Sequence, residues 1–115
     1  MNCGLTENAS TRIRGVFAKH PEVEKVILYG SRAKGNYKPG SDVDLTLLGP
    51  DLTQLILDRI QDELEDELLP YRFDLSIFSH ITHADLIAHV QRVGVVFYAK
   101  NPLAMGVEHG NQTPQ

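Results

Sequence analysis

The sequence predicts an α/β (α+β) domain: a small mixed β-sheet with helices mainly on one face. Three observations predict it. Short apolar runs of strand character, Val26-Ile27-Leu28-Tyr29 among them, alternate with longer stretches of helical period. Their order is helix, strand, turn, strand, helix, strand, helix, and helices laid on a sheet bury both kinds of apolar stripe. The chain has 115 residues and is 42% hydrophobic, which supplies one core and leaves no material for a second.

The first helix is expected over Ser10–His20, with Ile13, Val16 and Phe17 inward and Pro21 as its stop. Gly15 weakens it by about 1 kcal/mol relative to Ala. Val23–Tyr29 follows as a buried strand ending at Gly30. The basic stretch from Arg32 to Gly40 has room for one helical turn after Ser31. Asp42–Leu48 alternates, with Asp42, Asp44 and Thr46 on one face and Val43, Leu45 and Leu47 on the other. Asp51 is the expected N-cap of a helix over Leu52–Leu68. Its stripe is Leu52, Ile56, Ile60, Leu64 and Leu68, broadened by Leu55 and Leu57, and its acidic outer side reads as a solvated face. Arg72–Phe78 is a third strand with Asp74 and Ser76 on its polar face. Thr82-His83-Ala84-Asp85 has capping-box spacing and opens a helix to Val93, with Gly94 as C′ residue. Val95–Tyr98 is a short strand or edge extension.

Charge and cysteine usage exclude several classes. The net charge is −4, yet seven Lys/Arg face two Glu between Arg12 and Lys38, and nine Asp/Glu face one Arg between Pro39 and Pro70. No continuous basic track exists, so stable nucleic-acid binding is not expected. The single cysteine, Cys3, supports neither a disulfide nor a thiolate zinc site, and a cytoplasmic setting follows. No secretory leader is legible, and apolar runs as short as Val26–Tyr29 and Val95–Ala99 do not cross a membrane. His80 and His83 lack the partners of a zinc motif and read as surface or capping residues. Tyr29 and Phe97 read as packing residues.

The chemistry lies in three carboxylates and a turn. Asp42 and Asp44 leave the same face of one strand, and Asp74 begins the polar face of another. If those strands are neighbours, three like charges converge, and a cation is needed to hold them ionised together. Oxygen-only ligands suit Mg²⁺ or Mn²⁺ better than zinc. Gly30-Ser31 directly follows a buried strand, where glycine lets a phosphate approach backbone N–H groups and Ser31 adds a hydroxyl. A helical turn after it would aim its positive end at the same anion, and Arg32, Lys34 and Lys38 add charge. Together these describe a site for a polyphosphate beside metal.

The segment GSRAKGNYKPGSDVDLTL resembles the signature of the nucleotidyltransferase superfamily that includes DNA polymerase β and kanamycin nucleotidyltransferase. With the later RFDLSIF segment, it is similar to the minimal nucleotidyltransferase (MNT) family over roughly Val23–Tyr98. The resemblance implies a nucleotidyltransferase fold, placed over residues 10–100. The N-terminus (1–9) is expected to be flexible, and the Gly-, Gln-, Asn- and Pro-rich tail (101–115), which has no periodicity, is expected to be disordered. The resemblance further implies that Gly30 and Ser31, with Arg32 and Lys34, contact ATP. Asp42, Asp44 and Asp74 would be catalytic and bind two Mg²⁺ ions, Mn²⁺ being an alternative. The implied reaction is transfer of AMP from ATP to a hydroxyl. The implied partner is an all-helical HEPN protein, modified on a tyrosine within a toxin–antitoxin pair in which this chain is the antitoxin. A hetero-oligomer follows from that pairing, and a homodimer is compatible. The alternative is a nucleotide-binding protein that inhibits a HEPN-type partner by docking, without turnover. Larger relatives carry further regions for base and acceptor, so the partner is expected to supply the acceptor and the missing walls.

Overall fold

A computed structural model of the protein describes residues 3–101. The chain forms α1 (Glu7–Ala18), β1 (Lys25–Tyr29), α2 (Gly30–Lys34) and β2 (Val43–Leu48). It continues through α3 (Gln54–Asp66), β3 (Phe73–Ile77), a single 3-10 turn (Phe78–His80), α4 (Ala84–Val93) and β4 (Val95–Ala99). The strands make one four-stranded sheet in the order β3–β2–β1–β4. β1 is antiparallel to β2 and β4, whereas β2 and β3 are parallel. The parallel pair needs a crossover, and α3 provides it.

Alternation along the strands divides the sheet into two faces. Val26, Leu28, Val43, Leu45 and Leu47 have no exposed surface and pack with Ile13, Val16 and Phe17 of α1 and Leu57, Ile60 and Leu64 of α3. Burying each such side chain contributes about 1.5–3 kcal/mol over leaving it exposed. At the rim of this layer, Arg12 pairs with Glu67 at 2.8 Å and the His20 ring meets Glu63 at 2.9 Å. The His20 hydrogen bond, ahead of other causes, holds the Glu63 carboxyl below its ordinary range. The opposite face carries Ile27, Tyr29, Asp44, Thr46, Asp74 and Ser76, and α4 packs over it along β1.

Several boundaries differ from expectation, each for a local reason. α1 starts three residues early because the Thr6 hydroxyl accepts the Ala9 N–H at 3.0 Å, and Cys3 and Ala9 are buried where a flexible N-terminus was expected. Thr53, not Asp51, caps α3, accepting the Ile56 N–H at 3.3 Å. The helix stops at Asp66, so Leu68 is not part of the stripe: it is 88% exposed at φ 56°, and Leu55 is 63% exposed. His83, not Thr82, caps α4, its Nδ1 accepting the Leu86 N–H at 3.4 Å. Gly94 ends α4 at φ −65°, so no left-handed C′ residue is involved. Its glycine serves close packing, since a Cβ there would meet the Val90 carbonyl and stand 2.6 Å from the Ile27 side chain. β4 is a full edge strand, with a bulge that lets Phe97 enter the core under the Arg14 guanidinium, 4.4 Å above its ring centre. The tail expected from residue 101 lies, beyond Asn101 itself, outside the described residues. Among those described, no helix is long and apolar enough to cross a membrane.

Candidate active site

The parallel pairing of β2 with β3 decides where the carboxylates go. Asp44 is paired with Asp74 across these strands and with Tyr29 across β1, so Tyr29, Asp44 and Asp74 form one rung on the face opposite the core. The next rung is Ile27, Thr46 and Ser76, in which the Ser76 hydroxyl donates to the fully buried Thr46 hydroxyl at 2.9 Å. Asp42 lies just ahead of β2, exposed, and Asp74 is exposed as well. The acidic rung therefore opens to solvent on one side and is backed by a hydroxyl pair on the other.

The electrostatics follow from that crowding. Burial, then the charges of Asp74 and Asp42, push the Asp44 carboxyl up to about 6, and Arg32 only partly opposes them. Burial likewise raises the Tyr29 phenol, with Ser76 opposing and Asp74 and Asp44 adding to the rise. A carboxylate pressed by two others is the donor chemistry that a hard divalent cation relieves. Among the described residues, however, no three His, Cys, Asp or Glu side chains close into a metal cage on their own. Mg²⁺ commonly takes only one or two carboxylates and completes its shell with water and substrate phosphate. The acidic rung fits that pattern of partial ligation.

The turn at the end of β1 completes the site. Gly30 sits at φ 76°, and a Cβ at this position would run into the Asp44 carboxylate, so only glycine lets the turn close against that group. Ser31 follows in the first turn of α2, half-buried, while Lys34 is exposed in its last turn. Arg32 is placed differently from its expected contact with phosphate. It is 4% exposed; Nε and Nη2 donate to the Ser41 carbonyl at 3.2 and 2.8 Å, and Nη1 to the Cys3 carbonyl at 2.9 Å. The Tyr37 and Tyr71 rings flank the guanidinium at 5.2 and 5.3 Å. Arg32 thus ties the segment just before Asp42 to the N-terminal segment at Cys3 and braces the turn from behind.

The family model for "Polymerase beta, Nucleotidyltransferase" matches residues 11–103. The chain belongs to this family. No curated protein matches it. Among solved structures, the chain is similar to a toxin–antitoxin structure with AMP-PNP at TM-score 0.66 and 20% identity, covering 81% of this chain and 75% of the other. It is also similar to the toxin–antitoxin MntA-HepT at TM-score 0.62 and 17% identity, covering 87% and 77%. A third similar structure is a tri-AMPylated Shewanella oneidensis HEPN toxin with its MNT antitoxin, at TM-score 0.60, 18% identity and coverage of 81% and 71%. At these identities the likeness establishes a shared fold.

Within that fold the chain brings Gly30, Asp44 and Asp74 together, sets Asp42 at the edge of the group, and turns Arg32 inward. Sequence reading missed His89. This α4 residue places its ring edge-on to Tyr29, centroids 6.1 Å apart, and its Nε2 accepts the Gly30 N–H at 3.2 Å. No local pattern marks it, because the contact exists only once α4 returns across β1.

Proposed function

We propose that the protein is a metal-dependent nucleotidyltransferase that moves AMP from ATP to a tyrosine hydroxyl of a HEPN-type partner, acting as the antitoxin of the pair. One observation carries the reading: the Asp44–Asp74 rung stands beside a glycine turn that only Gly30 can close against Asp44. The family membership and the likeness to MNT–HEPN complexes support it.

In this reading Gly30 and Ser31 receive the triphosphate, the Ser31 hydroxyl donating to its terminal phosphates and Lys34 adding positive charge. Arg32 holds the turn and the Asp42 segment in register without touching nucleotide. Asp42, Asp44 and Asp74 would hold Mg²⁺, which when bound neutralises the triphosphate and acidifies the acceptor hydroxyl. Asp74, at the outer end of the rung, orients that hydroxyl and takes its proton, directly or through water. The acceptor oxygen forms a bond to the α-phosphorus, and the bond from that phosphorus to the bridging oxygen breaks. Pyrophosphate leaves with the electron pair. Asp44 must be ionised to hold a cation, so cation-dependent nucleotide binding strengthens as pH rises through about 6.

The test is incubation of the protein and its HEPN partner with α-labelled ATP and Mg²⁺, followed by mass measurement. Label and an AMP mass increment on the partner are expected with the wild type, and neither with Asp44→Asn or Asp74→Asn. Transfer retained by both variants overturns the catalytic assignment. Inhibition of the partner without any transfer assigns the protein to docking instead.

A further inference from the structure

Gly30 packs directly against the Asp44 carboxylate of the acidic rung, and its amide N–H is already taken in the structure. His89 Nε2 accepts it at 3.2 Å, which requires that nitrogen to be unprotonated and the ring proton to sit on Nδ1. The same ring lies at 79° to Tyr29, the buried residue that shares the rung with Asp44. One α4 side chain therefore touches both residues on which the turn pivots. Gly30 itself is in the left-handed region and packs against the Asp44 carboxylate, so a small rotation of its peptide moves the Ser31 hydroxyl relative to that carboxylate.

We propose that His89 is a positioning residue of the phosphate-binding turn, acting as a neutral acceptor that fixes the Gly30 peptide. Resting on the nucleotidyltransferase reading, the inference divides the labour within it: Gly30 supplies shape and not a phosphate donor, and donation falls to Ser31 and the residues after it. His89 touches neither nucleotide nor the reacting atoms. Its influence is on nucleotide affinity, through the turn, and not on the rate of the chemical step.

The test compares wild type, His89→Leu and His89→Gln, all checked for cooperative thermal unfolding. Leucine removes the acceptor, whereas the glutamine amide oxygen reaches about as far as Nε2 and accepts the same N–H. For His89→Leu we expect the KM for MgATP to rise about tenfold, the scale of one lost and unsatisfied hydrogen bond, with kcat within about threefold of wild type. His89→Gln should return KM to within about threefold. An unchanged KM in His89→Leu, a loss confined to kcat, or a glutamine variant no better than leucine overturns the inference. Hydrogen exchange of the Gly30 amide keeps it separable from the enzymatic reading. Protection in wild type and His89→Gln but not in His89→Leu is expected even if no transfer is found, and equal exchange in all three overturns it.

Discussion

Replacing Asp44 by Asn should stabilise the fold while it removes the proposed activity. The Asp44 carboxyl is held at about 6 against an ordinary 3.8, chiefly by burial and then by Asp74 and Asp42. At about 1.4 kcal/mol per pH unit, that rise corresponds to about 3 kcal/mol of strain on the ionised form if fully felt. The group is only partly buried, and solvent screening cuts this to about 1–1.5 kcal/mol. The sign follows from linkage: the folded-state pKa lies above the unfolded one, so stability from this group is present in full below about 3.8 and is lost as pH rises through about 6. Asparagine has nearly the same shape and no charge, so it keeps the packing against Gly30 and removes the penalty. Thermal unfolding without divalent cation, at pH 4 and at pH 7.5, reads the effect. Asp44→Asn should melt about 4–8 °C above wild type at pH 7.5 and close to it at pH 4. A variant less stable at pH 7.5, or a gap that does not change with pH, would refute the electrostatic reasoning.

Three further outcomes come from the same geometry. Gly30→Ala should lose Mg²⁺-dependent ATP binding and cost at least about 1–2 kcal/mol in urea unfolding, from the left-handed backbone alone; wild-type behaviour would mean the turn is not closed against Asp44. Arg32→Lys keeps the charge but not the planar fork that reaches the Ser41 and Cys3 carbonyls together, and should cost about 1–3 kcal/mol in urea unfolding; a loss of ATP affinity with unchanged stability would return Arg32 to the phosphates. Leu68→Gly should gain about 0.5–1 kcal/mol, since the left-handed penalty of a residue with a Cβ exceeds the entropy cost of glycine and this side chain is 88% exposed.

What the sequence makes legible is what local periodicity controls. The Val26–Tyr29 run, the alternation of β2 and β3 and the Gly-Ser turn place Asp44 and Asp74 on polar faces, and only their pairing as neighbours needs the fold. Helix ends are less legible because competing caps lie within two residues: Asp51 and Thr53 both suit α3, and the hydroxyl that reaches a free N–H decides. The stripe drawn from Leu52 to Leu68 fails at its ends, because α3 runs only from Gln54 to Asp66: Leu52 lies ahead of the Thr53 cap, and Leu68 lies past the helix at φ 56°, where the four-residue period no longer sets its direction. Arg32 and His89 show the remaining limit. A basic residue after Gly-Ser looks like a phosphate ligand until the carbonyls of Cys3 and Ser41 are seen to take its donors. A lone histidine on a helix says nothing until that helix is laid against β1.

Crystals of the protein grown with Mg²⁺ and AMP-PNP measure the decisive point directly. Cation density against Asp44 and Asp74, with the triphosphate lying along Gly30 and Ser31, is the expected result. Nucleotide bound away from this turn, or a fully occupied nucleotide whose cation is out of reach of both carboxylates, would contradict it.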